Sequence, residues 1–70
     1  MQYTVVLEPA EDGSISVWVP DLPGCTSCGD TQDEALANIA EAIAGHIQTL
    51  REHGESVPPP RSIATVVRAA

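Results

Sequence analysis

The sequence predicts an α+β domain built as βββαβ, and three observations carry that expectation. Two short runs of alternating apolar and polar residues flank Asp12-Gly13. One long segment, from Gln32 to about His53, repeats apolar residues at every third or fourth position. A proline run then separates that segment from a last alternating run at Ser62 to Arg68. With a helix between the third strand and the last, the last becomes a parallel neighbour of the first, so the expected sheet order is 3-2-1-4. The chain of 70 residues forms one domain, 1–70.

Each element has a local cause. Tyr3, Val5 and Leu7 alternate with Thr4, Val6 and Glu8 until Pro9 ends the first strand. Asp12-Gly13 is a strong turn dipeptide, because aspartate tolerates the left-handed region and glycine favours it. Ile15, Val17 and Val19 alternate with Ser14, Ser16 and Trp18, and Pro20 closes this second strand. So short a link permits only antiparallel pairing. In Leu22-Pro23-Gly24-Cys25 the proline presets φ for the second position of a type II turn, and Gly24 supplies the positive φ of the third. A short third strand follows, Cys25 to Gly29.

Thr31-Gln32-Asp33-Glu34 reads as a capping box, which starts the helix. Leu36, Ile39, Ala40, Ile43, Ile47 and Leu50 form the expected apolar stripe, with Glu34, Glu41, Gln48 and Glu52 on or beside the opposite face. Asp33 and Glu34 sit where the helix dipole favours negative charge, and Gly54 suits the C′ position. Gly45, inside the helix, points either to close backbone approach or to a tolerated defect. Val57-Pro58-Pro59-Pro60 cannot continue a helix and forms a stiff extended strap that returns the chain along the sheet.

Composition narrows the function. Hydrophobic residues make up 43% of the chain, yet Phe is absent and Tyr3 and Trp18 are the only aromatics, which suits one thin layer of sheet against one helix. Ten acidic residues against three arginines and no lysine give a formal net charge of −7. Unaided binding to nucleic acid phosphates is repulsive at that charge, whereas a basic protein partner is favoured. No apolar run approaches a bilayer span and no basic leader precedes one, so the expected location is the cytoplasm, with no membrane partner. A chain this short buries only about 60% of its unfolded surface, and self-association would reinforce it. One helix covers one sheet face, leaving Val6, Trp18 and Val66 on the other as the expected interface of a homodimer or larger assembly.

Enzymatic chemistry finds little support. Cys25-Thr26-Ser27-Cys28 matches CxxC, but residues three apart in a strand point to opposite faces. Zinc would need two further ligands, and only His46 and His53 are available. Neither histidine stands in a triad relation to a nucleophile. No catalytic residue, cofactor or metal site is expected, and the chain reads as a binding module.

The motif PDLPGC, three intervening residues, GDT and then EAL, spanning Pro20 to Leu36, resembles the N-terminal domain of the HicB antitoxins. That domain has a partial ribonuclease H fold. The resemblance extends from about Tyr3 to Val67 and implies the same 3-2-1-4 sheet. It also implies pairing with a HicA toxin, a small basic protein that cleaves messenger RNA, through cover of its RNA-facing surface. Asp21, Asp30, Asp33, Glu34 and Glu41 are the carboxylates expected to face such a partner. Longer HicB proteins add a C-terminal DNA-binding domain, which does not follow here, so direct DNA binding is not expected. An orphan oligomeric interaction domain without a toxin is the alternative. A metal-dependent nuclease, with Glu8 and Glu41 as ligands, lacks a third carboxylate, because Ser62 to Ala70 contains none.

Overall fold

The structure, a computed structural model describing residues 1–70, contains strands β1 (Val6–Pro9), β2 (Ile15–Trp18) and β3 (Thr26–Gly29) and one helix, α1 (Gln32–Glu52). The strands form one antiparallel sheet in the order β1-β2-β3. Asp12-Gly13 turns the first hairpin: the Gly13 amide donates to the Ala10 carbonyl at 3.0 Å, and Gly13 has φ 90°. The Asp12 carboxylate accepts from the Ser14 amide and hydroxyl. Those two bonds, the hydroxyl's the stronger, hold the carboxyl below its ordinary value.

Register assigns the faces. Leu7 pairs with Val17 and Val17 with Ser27, while Val6 pairs with Trp18 and Trp18 with Thr26. Since Val17 is buried against the helix, the row Val6, Trp18 and Thr26 lies on the sheet face that α1 leaves uncovered. The core is small: Val17, Val19, Leu22, Cys25, Ala35 and Ile39 are buried, with Tyr3, Val5, Leu7, Ile15, Ala42 and Ile43 packed around them. The stripe on α1 is rotated from the expected one. Ala35 and Ile39 are its buried residues, whereas Leu36 and Ala40 are exposed. The strand in front of the helix is the cause, because Gly29 admits the backbone at Ala35 and draws that face inward.

Gly29 is thus the close approach in this fold. A Cβ built on it would lie 2.5 Å from the Ala35 nitrogen, whereas nothing lies within 4 Å of a Cβ at Gly45. Gly45 is a tolerated helix defect, and Gly45→Ala should stabilise the protein by about 0.5–1 kcal/mol in a urea titration. The helix ends in a Schellman arrangement: Glu55 donates to the Leu50 carbonyl at 2.8 Å, Gly54 to Arg51 at 3.1 Å, and Gly54 has φ 68°.

The expected fourth strand does not form. Residues after Glu55 carry no regular secondary structure, and Ile63, Val66 and Val67 are 88%, 94% and 86% exposed. The backbone donors explain this. Pro58, Pro59 and Pro60 have no N–H, and the amides of Arg61 and Ser62 are engaged by the Asp21 carboxylate. A run of five residues therefore offers no free N–H to a ladder beside β1. The expectation that Val66 shares a sheet face with Val6 and Trp18 fails for the same reason.

Candidate partner-binding surface

Seventeen residues, Pro20 to Leu36, make the most determined local structure in the chain. The Leu22 amide donates to the Val19 carbonyl at 3.1 Å, and the Cys25 amide to the Leu22 carbonyl at 3.0 Å, with Gly24 at φ 84°. The type II turn at Leu22-Pro23-Gly24-Cys25 is as expected, and it drives Leu22 into the core at 0% exposure. The Val19 amide then donates to the Cys25 carbonyl at 3.1 Å, which resumes β2–β3 pairing beyond the turn.

The helix start follows directly. Thr31 is the N-cap, and its hydroxyl accepts from the Glu34 amide at 3.1 Å. The Glu34 carboxylate reaches back one residue further than a standard capping box, to the Asp30 amide at 3.2 Å. Asn38 donates to the Cys28 carbonyl at 2.8 Å, so the helix also guards the outer edge of β3. Asp30, Asp33 and Glu34 are all exposed and gather at this end of α1. Glu41 lies two turns along, about 10 Å up the axis from Glu34 on the same outward face. Glu52, not among the expected site residues, continues that face and accepts from Gln48 at 3.0 Å. Together they form an acidic ridge on the side of α1 turned away from the sheet.

Asp21 does not belong to this ridge. One of its oxygens accepts from the amides of Arg61 and Ser62, and the other from the Ser62 hydroxyl, all at 2.8 Å. The Ser62 amide, then the Arg61 amide, hold its carboxyl below the ordinary value of 3.8. Tyr3 donates to the Pro58 carbonyl and Thr4 to the Ser62 carbonyl, so the strap is tied at three points. Residues 40 positions apart meet in this clamp, and no local pattern announces it.

A depressed carboxyl stabilises the folded contact above the unfolded-state value and loses it as pH falls through the folded one. Protection of the Arg61 and Ser62 amides from hydrogen exchange should therefore hold at neutral pH and decline below about pH 4. Asp21→Ala should speed tryptic cleavage after Arg61 by roughly tenfold or more, with cleavage after Arg68, which Asp21 does not contact, unchanged. Equal rates at Arg61 in both proteins would show that the clamp does not hold the strap.

The remaining sequence candidates are scattered. Cys25 is buried and Cys28 exposed, both as free thiols, and burial pushes the Cys25 thiol up, away from the reactive thiolate. His46 is half-buried on α1, and His53 is exposed at its C-cap. No three His, Cys, Asp or Glu side chains converge as metal ligands would, and no pocket opens on the surface. No helix is long and apolar enough to cross a membrane.

Three antiparallel strands under one helix, with carboxylates along the helix's outer face, define a small single-helix α+β module. A family model described as "HicB_like antitoxin of bacterial toxin-antitoxin system" matches residues 3–70, and the chain belongs to that family. It is 50% identical over 58 residues to a UPF0150 protein of Thermoplasma acidophilum, covering 83% of this chain and 84% of that one. To Antitoxin HicB 1 of Photorhabdus laumondii it is 38% identical over 60 residues, which cover 86% of this chain and 39% of the relative. The solved N-terminal domain of Burkholderia pseudomallei antitoxin HicB superposes with a TM-score of 0.80 at 40% identity, covering 90% of this chain and 74% of that one.

Proposed function

We propose that this protein is the antitoxin of a toxin–antitoxin pair, and that it neutralises a small basic HicA-type toxin by covering the surface that binds messenger RNA. The observation that carries this reading is the acidic ridge of Asp30, Asp33, Glu34, Glu41 and Glu52, exposed on a rigid helix and paired with no cation of its own chain. Negative potential presented this way speeds encounter with a lysine-rich partner and repels RNA from the same surface. Asp21 is left out of the partner surface, because both of its oxygens are bonded to the strap. On this reading the protein acts by occlusion in the cytoplasm, without catalysis or cofactor. Its three strands correspond to strands 3-2-1 of its family's ribonuclease H-like sheet.

The test is co-expression with the product of the adjacent reading frame, expected to be small and basic, scored by rescue of growth and by a complex whose affinity falls with salt. The double reversal Glu41→Lys with Glu52→Lys, which leaves the helix N-cap intact, should slow association at least about tenfold while leaving the circular dichroism spectrum unchanged. Rescue and association rates untouched by the reversal would remove the ridge from the interface. Absence of any complex would remove the toxin.

A further inference from the structure

We infer that residues 63–68 are an exchanged arm, which adds as a strand to the free edge of β1 in a second copy of this chain. This goes beyond the reading above and does not depend on a toxin.

Four observations converge on it. First, the arm keeps the pattern of a strand, with no glycine or proline from Ile63 to Arg68, yet Ile63, Val66 and Val67 are almost fully exposed in their own molecule. Second, β1 is the open edge of the sheet, since Asn38 and the start of α1 close the β3 side. The clamp at Asp21 and the Thr4 bond to Ser62 hold the chain up to Ser62 at the start of β1, and beyond that point residues 63–70 form no strand with their own sheet.

Third, the charges are segregated. Residues 1–56 hold all ten acidic side chains against Arg51 alone, whereas residues 57–70 hold Arg61 and Arg68 and no acidic side chain. A cationic arm is drawn to an anionic body, and β1 itself presents the exposed Glu8. Fourth, the protein exposes 5232 Å², whereas a compact monomer of its mass would expose about 4,200 Å². Its radius of gyration is 13.5 Å, against about 11 Å for a compact chain of this length. The excess, roughly 1,000 Å², is close to the ~800 Å² that each partner buries in a standard interface. Reciprocal exchange about a two-fold axis would bury both arms at once and close both edges.

Hydrogen exchange of the full chain across a wide range of protein concentration, together with sedimentation equilibrium, decides the matter. The expected result is a dimer near twice 7.3 kDa, with amides of residues 64–68 and of β1 at least roughly tenfold better protected at high concentration than at low. Val66→Asp with Val67→Asp should return the protein to monomer with its circular dichroism unaltered, because neither side chain packs on the body. A monomeric wild type overturns the inference, as does a dimer that survives this double variant and so joins through the Trp18 face. Arm protection that does not vary with concentration overturns it too, since the arm would then pair with its own sheet.

Discussion

Leu22→Ala should lower stability by about 2–5 kcal/mol, the range for emptying a fully enclosed leucine site. A chain of this length has roughly 4–10 kcal/mol in total, so much of the variant population should be unfolded near body temperature. The size of the effect follows from how few side chains share the load. Leu22 is the largest of the six buried residues with no exposed surface, and it enters the core from a turn rather than from a strand or helix. Pro23 and Gly24 hold that turn rigid, so the neighbours Val17, Val19 and Ile39 cannot follow the shortened side chain inward, and the cavity stays. Urea unfolding measures the loss as a lower midpoint with an unchanged slope. A loss under about 1 kcal/mol would mean that the turn does not deliver Leu22 into the core.

Gly29→Ala should be the second large loss, about 1–3 kcal/mol from overpacking, with fraying of the first turn of α1. The φ of Gly29 is not in the left-handed region, so conformational strain is not the cause. The added methyl would meet the backbone of Glu34 and Ala35, which has no rotamer to yield. The helix must then move off β3 and give up the Asn38 bond to Cys28. The same substitution at Gly45 has the opposite sign, because that site is open and only helix propensity changes. Measured together, the two alanine variants separate packing from propensity. If both stabilise the protein, the close seat of α1 on β3 is refuted.

Much of this fold is legible in the order of its residues. Asp12-Gly13, Leu22-Pro23-Gly24-Cys25, Thr31 with Glu34, and Gly54 each determine a turn or a cap through φ preference or a hydrogen bond to a residue a few positions away. The alternation of Ile15, Val17 and Val19 likewise identifies the face under the helix, since strand geometry leaves no other assignment. The acidic ridge is partly legible by the same logic. Helical periodicity places Glu34, Glu41 and Glu52 together, although periodicity alone gives Glu52 no role at the site.

Long-range competition accounts for what could not be read. Asp21 has the look of a free surface carboxylate in a proline-rich turn, and only folding reveals that Arg61 and Ser62 claim it. Ser62 to Arg68 has a strand's alternation, but alternation is silent on whether the preceding amides are free to start a ladder. Gly29 and Gly45 are indistinguishable as letters, and their difference lies in what an added Cβ would meet, the Ala35 nitrogen at 2.5 Å in one case and nothing within 4 Å in the other. The sequence by itself determined the turns, the caps, the inward strand face and the sign of the charge, since these depend on dihedral preference, period and composition. Tertiary structure alone decided which carboxylate is engaged, which glycine is indispensable and why the last segment does not pair within its own chain. Each of those turns on which donor, acceptor or atom of a distant residue arrives at the same place.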